Sequence, residues 1–228
     1  MAELIPGLRA ERIRSNLERI REQIAGASQR ARERRPAARG DTVQVLAAVK
    51  YVALEELPEL AAAGIELVGE NRAQELERKV AAHGALFEWD FIGQLQSRRV
   101  RLIVPHVRLI HSVASESALR ELERHLRLAR PGLRILLEVN VAGEPGKAGI
   151  EPQQIDPFIA RSPVPVAGLM TMPPASADAE ASRPWFAALR ELADARGLEQ
   201  LSMGTSQDYV VAVEEGATIV RIGTTLYD

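Results

Sequence analysis

What most constrains this chain is an alternation that runs along nearly its whole length. Eight short apolar runs, Val43–Val49, Ile65–Val68, Phe87–Ile92, Val107–Val113, Leu133–Val141, Val166–Leu169, Glu199–Leu201 and Thr218–Ile222, are separated by amphipathic stretches. Runs this short, rich in Val, Ile and Leu, read as strands buried on both faces. The stretches between them carry helical periodicity and stop where Gly or Pro intervenes: Leu54–Ala63 at Gly64, Asn71–Ala82 at Gly84, Glu116–Ala129 at Pro131 and Gly132, Ser206–Glu215 at Gly216. Pro152–Ala160 and Ala181–Ala195 follow the same pattern, and Gln96–Ile103 is a shorter instance. Strands joined by helical crossovers build a parallel sheet, and eight of them match a closed TIM (β/α)8 barrel of the α/β class. An open doubly wound sheet is the competing arrangement, but no Gly-x-Gly-x-x-Gly follows the first strand.

One helix precedes the alternation. Leu8, Ile13, Leu17, Ile20 and Ile24 fall near one face of a helix expected from Glu3 to about Arg35, with Pro36 and Gly40 ending it. It supplies the helix that the barrel lacks after its last strand. The expected organisation is a single domain over residues 1–228, with the N-terminal helix at 3–35 and the barrel at about 42–228.

Charge and composition narrow the function. A net charge of −2 argues against a general nucleic-acid or membrane-surface protein. Residues 1–40 do hold ten arginines against five glutamates, interleaved as on a solvated helix face. There is no cysteine, which excludes disulfides and thiolate metal sites. The opening MAELIPGLRAERIR meets charges too early for an apolar signal core, and no run approaches the roughly 18 apolar residues of a membrane span. A cytoplasmic location is expected.

In a barrel of this kind the site lies at the C-terminal ends of the strands, and polar residues and glycines gather there. Of 29 basic side chains only Lys50, Lys79 and Lys147 are lysines. A lysine amine can lose its proton and condense with an aldehyde, whereas a guanidinium cannot. Lys50 closes the first apolar run, where a Schiff-base lysine belongs. Thr205 and Ser206 precede the last helical pattern, so free N–H groups and the positive end of the helix dipole point there. Gly223 lets an anion approach its N–H closely, and Thr224 adds a hydroxyl. Thr205 also fits a plain N-cap, with Asp208 closing a capping box. Arg221 shares a strand face with Gly223 and needs a partner in the barrel mouth: a cofactor nitrogen, or a glutamate such as Glu138. An amine, a phosphate cradle and an inward arginine together suggest pyridoxal 5′-phosphate (PLP).

The stretches LAAVK (46–50), VGENRAQEL (68–76), FIGQLQSRRVR (91–101), LIHSV (109–113), LLEVNVAGE (136–144), GLMTM (168–172), LSMGTSQD (201–208) and VRIGT (220–224) occur in an order that resembles the pyridoxal-phosphate homeostasis protein family, relatives of the N-terminal barrel of alanine racemase. The resemblance runs from about Val43 to Tyr227. It implies a PLP-binding barrel of monomeric size, with PLP held as an aldimine on Lys50. It implies Ser206, Gly223 and Thr224 as phosphate ligands, Arg221 facing the pyridine nitrogen, and Asn71 and Met203 lining the pocket. Val49, Asp90, Arg98, Arg99, Thr205 and Gly146 depart from residues frequent in the family, and none is a proposed cofactor contact.

An arginine facing the pyridine nitrogen disfavours its protonation and makes the ring a weak electron sink. In the resembled racemase a tyrosine from a further β domain acts as the second base, and no such domain is expected in these 228 residues. Alternation turns Tyr51 away from Lys50, and Tyr209 lies one turn into the last helix. The expected function is therefore noncatalytic: binding PLP and releasing it, in vitamin B6 and amino-acid homeostasis, with PLP-dependent enzymes lacking their cofactor as transient recipients. A small PLP-dependent racemase or lyase is the alternative, and a Schiff-base or sugar-phosphate enzyme without PLP is a third. Lys147, in the glycine-bearing loop after strand five, reads as a second amine for exchange or as a solvated loop lysine. His83, His106 and His125 show no metal-binding spacing, and His111 reads as a core or rim histidine.

Overall fold

A computed structural model of the protein describes residues 4–34 and 42–228. Each apolar run contributes a strand: β1 (Gln44–Ala48), β2 (Leu67–Glu70), β3 (Glu88–Phe91), β4 (Leu109–Val113), β5 (Arg134–Glu138), β6 (Val166–Met170), β7 (Gln200–Thr205) and β8 (Ile219–Ile222). Neighbours pair in parallel, and β1 pairs with both β2 and β8, which closes the barrel and excludes the open sheet. The helices are α1 (Ala10–Arg34), α2 (Leu57–Ala62), α3 (Ala73–His83), α4 (Val100–Ile103), α5 (Glu116–Arg124), α6 (Ile155–Arg161), α7 (Arg183–Asp194), α8 (Tyr209–Glu214) and α9 (Thr224–Tyr227).

Alternation along the strands divides the apolar residues between two cores. Leu46, Leu67, Leu109, Leu136, Met170 and Ile219 fill the barrel interior. Their strand neighbours, among them Ala47, Val68, Ile110, Leu137 and Val220, join the larger core shared with the helices. The interior is filled tightly enough that a Cβ at Gly69 would come within 2.4 Å of Leu46 Cδ2.

Ile13, Leu17, Ile20 and Ile24 form the buried stripe of α1. That stripe lies against α2, α8 and α9, so α1 takes the helix position left open after β8. Asn16 Nδ2 donates to the Leu226 carbonyl at 3.1 Å and ties the helix to the end of the barrel. The helix begins at Ala10 rather than Glu3. Pro6 lacks an N–H and Gly7 adopts φ 67°, and the segment before α1 instead bridges Ile5 to Val52. The N–H groups of Gly7 and Leu8 donate to the Glu56 carboxylate at 2.9 and 3.1 Å. Glu3, Arg35, Pro36 and Gly40 lie outside the described residues.

Two of the strands extend past the apolar pattern through a polar residue, and both extensions bear on the site. β2 runs on to Glu70, and β7 runs on to Thr205, past the expected end at Leu201. Polar Ser202 and Glu70 interrupt an apolar run without ending the ladder. Among the described residues no helix is long and apolar enough to cross a membrane.

Candidate functional site

The C-terminal ends of the strands open on a cavity of about 450 Å³. Six of the seven residues expected at a site line it: Lys50, Asn71, Ser206, Arg221, Gly223 and Thr224. Met203 does not. Alternation along β7 turns Ser202 into the barrel, where it bonds Arg221, and Met203 outward into the helix-facing core, where it is fully buried. The resemblance implied that Met203 lines the pocket; its side chain instead faces the helix-side core, because β7 extends through it.

Lys50 stands in the turn after β1, and its Nζ lies 4.5 Å from the centroid of the Tyr51 ring. β1 ends at Ala48, so strand alternation no longer governs Tyr51, which lines the same cavity instead of turning away. Behind Lys50 sits a second, wholly buried lysine. Lys79 Nζ donates to the Val49 carbonyl at 2.6 Å and to Glu70 Oε2 at 2.7 Å. Glu70 Oε1 in turn accepts from the N–H groups of Asn71 and Arg72 at 2.6 and 3.1 Å. One ion pair therefore fixes the backbone on which both Lys50 and Asn71 stand. The Asn71 side-chain oxygen is buried and has no protein partner.

The loops after β7 and β8 meet at Ser206. Its Oγ accepts from the N–H groups of Gly223 at 3.1 Å and Thr225 at 3.4 Å. Among the described residues the N–H groups of Ser206, Gln207 and Thr224 find no acceptor. A Cβ built at Gly223 meets no atom closer than 3.9 Å, so packing does not demand glycine there. The expected capping box is half formed. Asp208 Oδ1 accepts from the Thr205 N–H at 2.7 Å and hydroxyl at 3.1 Å, but Thr205 still belongs to β7, and α8 starts at Tyr209 with Asp208 as its N-cap residue.

Arg221 is 6% exposed and projects into the barrel mouth. Its Nη1 donates to Ser202 Oγ at 2.6 Å, and its Nη2 to the Thr171 carbonyl at 3.0 Å and Met172 Sδ at 2.8 Å. No carboxylate touches it among the described residues. Burial pulls its pKa down to about 10 against the through-space pull of Glu138 and Asp208. Behind it a polar chain crosses the barrel. Ser202 Oγ lies 2.8 Å from His111 Nδ1, and His111 Nε2 lies 3.1 Å from Asp90 Oδ2. Arg108 closes the chain on Asp90 with contacts of 2.9 and 3.1 Å. Burial pushes the His111 pKa down despite Asp90, so the ring is neutral. The carboxylate can only accept, which puts the proton on Nε2 and leaves Nδ1 to accept from the Ser202 hydroxyl. The serine oxygen is then free to accept from Arg221. His111 is thus a core residue that braces Arg221 from behind. Asp90, noted in the sequence only as a departure, carries the charge at the other end.

Glu138, at the end of β5, lines the cavity and is 8% exposed; its backbone carbonyl accepts from the Ile150 N–H at 2.8 Å, but its carboxylate accepts no hydrogen bond among the described residues. Burial raises its pKa, and Arg221 and Lys147 offset this through space. As the anticipated partner of Arg221 it makes no direct contact. Lys147 lies in the loop after β5, paired with Glu144, outside the cavity lining. Tyr227 also lines the cavity, its hydroxyl donating to the Ala48 carbonyl at 3.2 Å. Nothing local in the sequence marked it. Tyr209, as expected, stays away from the mouth and bonds Gln23 of α1.

The chain matches the family model described as alanine racemase, N-terminal domain, over residues 9–228. A protein of Aquifex aeolicus named pyridoxal phosphate homeostasis protein is 40% identical over 223 residues, covering 92% of this chain and 95% of that protein. A solved structure of an unknown protein from Bifidobacterium adolescentis superposes with a TM-score of 0.81 at 30% identity, over 99% of this chain and 98% of the other. PipY of Synechococcus elongatus PCC7942, solved with PLP bound, gives a TM-score of 0.72 at 32% identity over 89% of this chain and all of that one.

Proposed function

This chain belongs to the alanine racemase N-terminal domain family and, within it, to the pyridoxal phosphate homeostasis proteins, and on that premise we propose that its cavity holds PLP on Lys50. The observation that carries the reading is convergence: a lysine amine, the unspent N–H groups of Ser206, Gln207 and Thr224, and a braced arginine line one cavity. The donor set fits the group. Ser206, Thr224 and the N–H of Gly223 would take the phosphate, Arg221 would donate to the pyridine nitrogen, and Asn71, with its unpartnered oxygen, would line the ring. When bound, PLP supplies an aldehyde that condenses reversibly with an amine.

The chain's own residues point to holding rather than transforming. The chain of Asp90, His111 and Ser202 holds Arg221 in place, and a fixed cation opposes protonation of the ring nitrogen. The Tyr51 ring holds Lys50 Nζ by its face. The Tyr227 phenol is tied to Ala48, and burial drives its pKa strongly upward, which disqualifies it as a base. The protein is read as a noncatalytic PLP carrier in vitamin B6 and amino-acid homeostasis. It works as a single domain over residues 1–228, as a monomer, with PLP enzymes lacking their cofactor as recipients.

Borohydride reduction of protein incubated with PLP, followed by peptide mapping, is expected to place a pyridoxyl group on Lys50. Lys50→Ala is expected to lose the tag and keep weaker, phosphate-anchored binding. A tag elsewhere, or none, rejects the site. Incubation of the PLP-bound protein with amino acids in deuterium oxide is expected to leave Cα protons unexchanged; rapid exchange would favour a racemase or lyase.

A further inference from the structure

PLP turns only acceptors and anions toward the walls of a pocket: phosphate oxygens, a phenol oxygen and a pyridine nitrogen. Walls built for it are lined with donors, as Lys50, Ser206, Thr224, Arg221 and the Gly223 N–H are. Among the described residues Glu138 is the one acidic side chain lining the cavity, and the cofactor offers it nothing. A carboxylate that is 8% exposed and accepts no hydrogen bond among the described residues is costly to keep. Its cationic neighbours reach it only through space. Arg221 directs its bonds to Ser202, Thr171 and Met172, and Lys147 is paired with Glu144. A buried acceptor aimed into a pocket, with no donor from protein or cofactor, calls for a cationic donor that arrives from outside.

Resting on the PLP reading, we propose that Glu138 docks the ammonium group of a small primary amine, such as an amino acid, and takes the proton that this amine must lose before it can lift the aldehyde off Lys50. An ammonium has no lone pair and cannot attack carbon. It donates to the Glu138 carboxylate and passes one proton to it. The freed amine nitrogen then forms a bond to the aldehyde-derived carbon, and the bond from that carbon to Lys50 Nζ breaks. The proton held on Glu138 passes to Lys50 Nζ, which restores the carboxylate and leaves the lysine as an ammonium. Protons and charge balance, and no oxidant or further reactant is required. The elevated pKa of Glu138 suits a group that must accept a proton near neutrality. No other wall residue offers this: Tyr227 is tied to Ala48, and Tyr51 is engaged with Lys50 itself.

The test uses full-length wild type and Glu138→Gln, both incubated with PLP and both checked for the Lys50 pyridoxyl tag by borohydride trapping. Release of PLP is followed by absorbance with alanine or methylamine, which are ammonium ions at neutral pH, and with hydroxylamine, which is already neutral. The ratio of the ammonium-type rate to the hydroxylamine rate is expected to fall roughly 100-fold in Glu138→Gln, and Glu138→Asp is expected to recover it in part. An unchanged ratio overturns the proposal, since a merely structural role would alter both rates together. A second readout needs no cofactor: calorimetric titration of the PLP-free protein with methylammonium chloride is expected to give heat of binding in wild type and none in Glu138→Gln. Equal heats in both overturn the docking role. Wild-type protein without a tag on Lys50 removes the PLP reading itself, whereas tagged protein with an unchanged ratio removes only the role of Glu138.

Discussion

Glu70 and Glu138 are each the last residue of a strand, β2 and β5, and both are buried, yet their surroundings are opposite. Glu70 is fully buried and saturated: one oxygen takes two backbone N–H groups and the other takes Lys79. Glu138 borders the cavity and takes nothing. Two residues of one type, at equivalent places in the barrel, separate scaffold from site. A buried charge whose bonds are complete holds the backbone still. A buried charge with bonds to spare waits for a ligand.

The largest effect that follows from this contrast is on stability. Lys79→Met strands the Glu70 carboxylate and is expected to cost about 3–5 kcal/mol in chemical denaturation. Adding Glu70→Gln to it should recover much of that loss; if the single variant unfolds like wild type, the scaffold half of the contrast is broken. Next in size, Ser202→Ala removes the hydroxyl shared by His111 and Arg221, with an expected cost of about 1–3 kcal/mol. That variant should also weaken PLP binding while leaving the pyridoxyl tag on Lys50.

A smaller effect lies in the pH dependence. Burial raises the Glu138 pKa, so the folded chain binds a proton there more readily than the unfolded chain. The stability tied to this group is complete below the ordinary carboxylate range and is lost as pH climbs through the raised value. PLP-free wild type should therefore lose stability relative to Glu138→Gln as pH rises from acid toward neutral. His111, whose pKa burial lowers, adds the opposite slope to both proteins and cancels in the difference. Parallel profiles would show that Glu138 is not buried as a charge. Smallest of all, Glu138→Gln in the acid range should shift stability by no more than about 1 kcal/mol, because no protein bond is lost.

Much of the fold was legible because parallel strands buried on both faces are written as uninterrupted apolar runs, and all eight runs became strands. The cavity's Lys50, Ser206, Arg221, Gly223 and Thr224 were legible because barrel chemistry collects where such runs stop. What failed did so where polar residues continue a strand. The apolar run ended at Leu201, so alternation was not carried on to Met203, and its place in the pocket rested on the family resemblance alone, whereas its side chain lies in the helix-facing core. Tyr51 failed in the opposite sense, because alternation was carried past the end of β1. The pair Glu70–Lys79 and the chain Arg108–Asp90–His111–Ser202–Arg221 join residues distant in sequence, and no local pattern announces a long-range partner. Glu138 was visible only as a conceivable counter-ion, since a vacant acceptor is a property of three-dimensional surroundings.

The joining of β1 to β8 bears on how the protein is made. During synthesis the first strand leaves the ribosome with one edge bare, and its partner on that edge, Ile219–Ile222, follows only after the six strands between them. Residues 223–227 then add the cradle glycine, Thr224 and the Tyr227 bond to Ala48 beside Lys50. A nascent chain therefore has an exposed seam until β8 has emerged, and the cavity can close only after that.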